Sequence, residues 1–237
     1  MTEVERDSVR LPDLEEFARE HGVAVIGVAD LAALRARCPD AMRSAPAEFP
    51  RGIVFGVRLP DAVVDRIEDR PTPLYFHVYR QANYLLDRVA FELGLALQAA
   101  GWRALPVPAS QIIDAGGRRG LVSHRLVGQA AGLGWIGRSR LLVNPSYGAR
   151  MRYASVLTDA PYEPGEPMAD RCGDCRRCIE LCPVDAVKES SREFDLDACF
   201  DKLGEFRKQP FIGQRICGIC VKACPGPECV SETGAAP

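Results

Sequence analysis

Cys172-Gly-Asp-Cys175-Arg-Arg-Cys178-Ile-Glu-Leu-Cys182-Pro183 spaces four cysteines as C-x2-C-x2-C-x3-C with a proline behind the last. Two-residue gaps let three thiolates of one tight loop reach three irons of a cubane, whereas the three-residue gap aims the fourth at a different cluster. A second cluster is therefore implied. Cys217, Cys220 and Cys224-Pro225 repeat the run short of one cysteine, and Cys199 is available to complete it. Exchange of the last cysteine between runs then assigns Cys172, Cys175, Cys178 and Cys224 to one 4Fe-4S cluster. Cys182, Cys199, Cys217 and Cys220 go to the other. Zinc is the competing reading, but zinc sites favour paired C-x2-C knuckles, and nothing about zinc calls for proline after each run.

Nine of the ten cysteines lie after position 171. A secreted chain would use such density for disulfides; a cytoplasmic chain keeps thiols reduced, which favours metal ligation. The N-terminus, MTEVERDSVRLPDLEEF, has neither a basic n-region nor an apolar h-region, so the cytoplasm is the expected location. No stretch approaches the roughly 20 apolar residues of a membrane span. A net charge of −2 argues against a general nucleic-acid surface. Cys38 and Cys229 are left over and read as a small buried hydrophobe and a bystander.

Upstream, the pattern is α/β. Asp13 is a plausible N-cap for a helix carrying Leu14, Phe17 and Ala18, with Gly22 as its stop. Val23 to Ala29 and Ile53 to Val57 read as buried strands, and Leu31 to Arg37 as a helical turn or two. The longest periodic segment, Tyr75 to Ala100, places Val78, Ala82, Leu85, Leu86, Val89, Leu93, Leu97 and Ala100 on one stripe. Strands are expected at 104–107, 141–143 and 153–157, and a helix from His124 to Ala131. The proline-rich DAPYEPGEP reads as a linker. The expected division is an α/β cofactor- or substrate-binding domain over 1–160 and a double-cluster domain over 168–230.

From Ala115 to Thr158 the chain has seven arginines and no Asp or Glu. Guanidinium groups bind phosphate and carboxylate bidentately, so an anionic ligand is one reading. The other is that they offset the negative clusters or line a solvated face. Within the segment, Gly132, Gly134 and Gly137 surround Trp135, a backbone bare enough for a flat ligand to approach. No clear strand precedes these glycines, so a dinucleotide fingerprint is rejected.

Ala131-Gly-Leu-Gly-Trp-Ile-Gly137, with RSRLLVNPSYGARMRYASVLTDAP behind it and the two cysteine runs and Cys199 beyond, resembles the epoxyqueuosine reductase family. The reductive dehalogenases are a more distant likeness. The resemblance covers about residues 75 to 225. It implies a cobalamin-binding core related to the nitroreductase fold, followed by a ferredoxin-like domain whose clusters feed electrons to cobalt. Its order of ligands agrees with the assignment made from spacing. The family carries a catalytic Asp shortly before AGLGWIG; Ile113-Asp114-Ala115-Gly116 matches with about four extra residues between, and without them Arg118 would take the place. The family's C-terminal tRNA-holding repeat domain has no counterpart before residue 237, so a tRNA substrate is not expected.

The function expected is a cobalamin-dependent iron-sulfur reductase. Asp114, His124 and Tyr147 are candidate proton donors, and Gly132, Gly134, Trp135, Gly137, Arg138, Arg140 and Asn144 are candidate cofactor contacts. The commoner role of a histidine like His124 is capping or surface, and of a tyrosine like Tyr147 packing. The alternative is an electron-transfer or corrinoid-reducing partner without its own organic substrate, and a flavoprotein is a third reading. Each needs an external electron donor of ferredoxin or flavodoxin type, and the acceptor is a small molecule or a protein-bound corrinoid.

Overall fold

Asp13 ends an extended segment and accepts hydrogen bonds from the backbone N–H of Glu15 and Glu16 at 3.0 Å, which satisfies two of the first turn's orphan donors. Helix α1 (Leu14–Glu20) follows from that cap, and Gly22, at φ +68°, turns the chain out of it. The computed structural model describes residues 11–42, 44–110, 112, 113 and 120–226. After α1 come β1 (Val25–Asp30), α2 (Leu31–Arg37), α3 (Pro39–Met42), β2 (Arg51–Arg58), α4 (Asp61–Val64), α5 (Pro73–Ala99) and β3 (Ala104–Val107). The chain continues through α6 (His124–Ala130), β4 (Trp135–Ile136), β5 (Leu142–Val143), β6 (Met151–Thr158), α7 (Arg177–Glu180), α8 (Leu196–Arg207) and α9 (Ile219–Ala223). The fold is mixed α/β, as expected. Among the described residues no helix is long and apolar enough to cross a membrane.

Two compact units share the chain. One gathers the described residues of Met1–Val57, Asn83–Leu133 and Arg152–Met168; the other gathers those of Arg58–Ala82, Gly134–Met151 and Ala169–Pro237. The last boundary falls where the proline-rich stretch ends, but two earlier segments go with the cysteine-bearing unit. The simple division into 1–160 and 168–230 does not describe this arrangement.

The first unit is built on a four-stranded sheet of order β1-β2-β6-β3. β1 and β2 are antiparallel with Val28 opposite Ile53, and β3 and β6 are antiparallel with Leu105 opposite Leu157. The central strands bury consecutive residues, Ile53, Val54 and Phe55 on one and Ala154, Val156 and Leu157 on the other, so both faces are covered. On α5 the buried stripe is Leu86, Val89, Leu93 and Leu97; Leu85, placed on it by periodicity, is instead exposed. Gly94 lets this helix approach β3, where an added Cβ would stand 2.8 Å from Pro106 Cγ. The proline-rich stretch is tied down: Gly165 N–H donates to Val28 O at 2.8 Å and the Tyr162 hydroxyl to Pro12 O at 2.8 Å.

In the second unit, β4 and β5 form a short antiparallel hairpin with Trp135 opposite Val143. Arg150, buried, donates to Asp61 Oδ1 at 2.9 Å, Asp65 Oδ1 at 2.7 Å and the Lys222 carbonyl at 3.1 Å, joining α4 and α9 to the loop that follows the hairpin. Asp61 is held below the usual carboxylate range, chiefly by the hydrogen bond from Arg150.

Candidate cluster-binding site

Cys172, Cys175, Cys178 and Cys224 line one cavity with Trp135, Gly137 and Arg138. The first three come from a tight loop: Asp170 accepts from Cys172 N–H at 2.8 Å, and Cys175 N–H donates to Cys172 O at 3.0 Å. α7 then begins and carries Cys178, while Cys224 caps the C-terminus of α9. Glycine is required where the β4–β5 region meets these loops. A Cβ on Gly148, at φ +58°, would lie 2.2 Å from Cys224 O, and one on Gly137 would lie 2.8 Å from Val143 Cγ2, with Cys172 Sγ next at 3.4 Å.

Burial pushes the Cys178 thiol up to about 11, with Cys172 and Cys175 adding to the rise. Cys172 is raised by burial too, against the opposing hydrogen bond from Trp135, whose Nε1–H points at its Sγ from 3.3 Å. Such crowded, desolvated thiols favour the protonated form until a cation supplies the compensating charge.

The remaining four cysteines are electrostatic neighbours of one another. Cys217 is pushed up to about 11 by burial and then by Cys199 and Cys182. Cys220 is raised by burial and then by Cys217, Cys182, Cys178 and Cys199. Ala186 N–H donates to Cys182 Sγ at 3.2 Å, and Asp195 caps the helix α8 on which Cys199 rides. Among the described residues no group of three or more His, Cys, Asp or Glu is placed to hold one metal ion. Eight thiols in two sets of four are the donor chemistry of two 4Fe-4S clusters, in which each thiolate meets a different iron. Cys38 is half-buried at the end of α2, and Cys229 lies outside the described residues.

The residues expected to contact a cofactor are engaged by their own chain. A Cβ on Gly132 would meet Glu166 O at 2.5 Å and one on Gly134 would meet Val143 O at 2.0 Å, so the bareness of these glycines accommodates backbone, not a flat ligand. Arg138 spreads its fork over three carbonyls, Glu189 at 3.0 Å, Cys175 at 2.9 Å and Gly173 at 2.8 Å. It straps the first cysteine loop instead of offering a phosphate site. Asn144 Oδ1 accepts from Ser146 N–H at 2.9 Å and Tyr147 N–H at 3.2 Å, which builds the turn. Arg140, at φ +57°, stands 5.9 Å from the Phe194 ring, and Arg152 donates to Asn83 Oδ1 at 3.1 Å and Ser110 Oγ at 2.9 Å. Arg138→Ala is accordingly expected to speed iron loss to a chelator roughly tenfold or more, the equivalent of one hydrogen bond from a charged group. Arg138→Lys should rescue only in part, because an ammonium cannot serve three fixed acceptors.

Of the proton-donor candidates, Asp114 lies outside the described residues. Tyr147, half-buried, packs its ring under the Arg58 guanidinium at 5.3 Å. His124 opens α6, but Ser123 makes no side-chain cap there. Its Nε2 faces Pro108 O at 3.0 Å and its Nδ1 faces Ser155 Oγ at 2.9 Å. A carbonyl only accepts, so Nε2 carries the proton and Nδ1 accepts from the serine. Burial lowers this histidine from 6.5 to about 4, and at neutral pH it is an uncharged structural bridge. The unfolded ring binds its proton near 6.5, so stability tied to His124 is whole above that pH and is lost as pH falls toward about 4. His124→Gln is expected to flatten the denaturation free energy between pH 7 and 5 by on the order of 2 kcal/mol relative to the unaltered chain.

No family model matches the chain. Over 116 residues, 45% of this chain, it is 32% identical to the epoxyqueuosine reductase of Bacillus anthracis, and the matched stretch spans 30% of that protein. The structure of epoxyqueuosine reductase from Bacillus subtilis superposes with a TM-score of 0.56 at 22% identity, covering 91% of this chain and 64% of that one. A reductive dehalogenase described as acting by B12-dependent dehalogenation superposes with a TM-score of 0.68 at 18% identity, covering 88% of this chain and 30% of that one. The chain thus resembles epoxyqueuosine reductases in sequence and shares its mixed α/β fold with them and with reductive dehalogenases.

Proposed function

We propose that this chain is an iron-sulfur reductase that holds two 4Fe-4S clusters and passes single electrons to a bound acceptor for a reductive reaction. The observation that carries the reading is the mixed origin of one thiol set. Cys172, Cys175 and Cys178 share their cavity with Cys224, the last cysteine of the other run. When bound, each cluster supplies a one-electron carrier whose potential the surrounding protein tunes. The chain's part is to desolvate the thiols, strap the first loop through Arg138 and aim Trp135 at Cys172. A reducing compartment such as the cytoplasm, which keeps thiols free for ligation, fits this role.

Cobalamin enters as acceptor through the fold shared with a B12-dependent dehalogenase and the likeness to epoxyqueuosine reductases. Gly132, Gly134, Arg138 and Asn144 do not fit it, since their room and donors serve the chain itself. The same observation favours a second reading, an electron-transfer protein served by a ferredoxin- or flavodoxin-type donor that reduces a partner's corrinoid.

Anaerobic reconstitution, gel filtration with added cobalamin and a visible spectrum test both readings. The reductase reading expects a broad cluster shoulder with cobalamin bands co-eluting. The carrier reading expects the shoulder alone. Sharp flavin bands would contradict both, and so would an iron-free product.

A further inference from the structure

We propose that Trp135 is a positioning residue for electron transfer: its indole N–H, donated to the Cys172 sulfur, raises the reduction potential of the cluster held by Cys172, Cys175, Cys178 and Cys224. The inference rests on the two-cluster reading above. Trp135 is 2% exposed, so its N–H has no bulk water to turn to, and Cys172 Sγ stands 3.3 Å away. The direction of the ring is built in. Trp135 pairs with Val143 in the hairpin, and the glycines on either side of Trp135-Ile136 have no room for side chains.

Reduction adds one electron to the cluster, supplied in a titration by a chemical reductant; no bond to protein breaks and no proton moves. The added negative charge is shared with the thiolate sulfurs. A donor aimed at one of them stabilises the reduced form more than the oxidised form, which raises the potential. Cys172 also receives the backbone N–H of Arg138. The other set has backbone donors as well, to Cys182 from Ala186 and to Cys217 from Ile219. The first set adds to these a side-chain donor that substitution can remove, so the idea can be tested without disturbing the loops.

The experiment uses the full chain, reconstituted anaerobically, with Trp135→Phe and a second variant carrying β-(3-benzothienyl)alanine at 135. That analogue keeps the bicyclic shape and puts sulfur where the N–H was. Reductive titration is followed by paramagnetic resonance. Both variants should keep about eight irons. In both, one cluster should become harder to reduce by roughly tenfold in its one-electron equilibrium, about 59 mV, while the other stays put. In unaltered protein labelled with indole ¹⁵N, one cluster should show a nitrogen coupling that Trp135→Phe abolishes. Unchanged potentials in both variants would overturn the inference and leave two clusters standing. So would a normal potential with the analogue beside a shifted one with Phe, which would assign the effect to packing. Equal shifts of both clusters would point to a general field and also overturn it. A chain that takes up no clusters would sink both the inference and the reading beneath it. Should Trp135→Phe fail to fold, the shape-conserving variant still decides.

Discussion

Cys224→Ala is expected to disturb the cluster that Cys172, Cys175 and Cys178 serve, and Cys182→Ala to disturb the one served by Cys199, Cys217 and Cys220. The expectation runs against sequence proximity. Cys182 follows Cys178 by four residues, yet its electrostatic neighbours are Cys199, Cys217 and Cys220, while Cys224 opens on the cavity of the first loop. Each substitution should take iron and sulfide from about eight of each toward about four, and should leave one of two paramagnetic signals intact. Iron analysis after anaerobic reconstitution, with spectra of the reduced variants, distinguishes the outcomes. If each alanine emptied only its own run, the exchange would be wrong. Zinc in place of iron, or four irons in the unaltered chain, would remove the basis for it.

Gly134→Ala should destabilise the protein by more than about 4 kcal/mol, the range reached when backbone must move. The added methyl would lie 2.0 Å from Val143 O and 2.8 Å from its carbonyl carbon, and neither can rotate away. Gly22→Ala is the natural control. Gly22 also has positive φ, +68°, but nothing stands within 4 Å of its Cβ position, so only the left-handed strain of about 1 kcal/mol applies. Chemical denaturation of both variants under anaerobic conditions measures the contrast. Equal losses would mean that the close approach of residue 134 to β5 is not rigid.

The elements with local signals were legible. Asp13 and Gly22 bracket α1, Leu31–Arg37 has the expected bounds, and β3 occupies the expected residues Ala104–Val107. α4, α7 and α9 were not read, because four or five residues cannot show a helical period. The spacing of the cysteines supplies the proposed partition into two sets, since loop geometry is encoded within a few residues. The surroundings of the glycine-rich run are not legible, for the opposite reason. Its bareness answers to Val143, Glu166 and Cys172, none adjacent in sequence to the glycine it confronts. Arg150 and its carboxylates are separated by 89 and 85 residues, and a charge run gives no sign of which acids it will meet.

The interleaving of the two units bears on how such a protein can be rearranged by recombination. A cut after Met168 yields a segment with all eight thiols of the two sets. It leaves behind Trp135, the strap of Arg138, the close fit of Gly148 under Cys224, and Arg150 with its hold on Lys222 O. The cysteine segment is therefore not a cassette that can be grafted onto an unrelated host by a single crossover. Transfer of the eight thiols in a working arrangement requires residues 134–151 to travel too, and in the chain these lie between two segments of the α/β unit, so a single crossover cannot separate the one from the other.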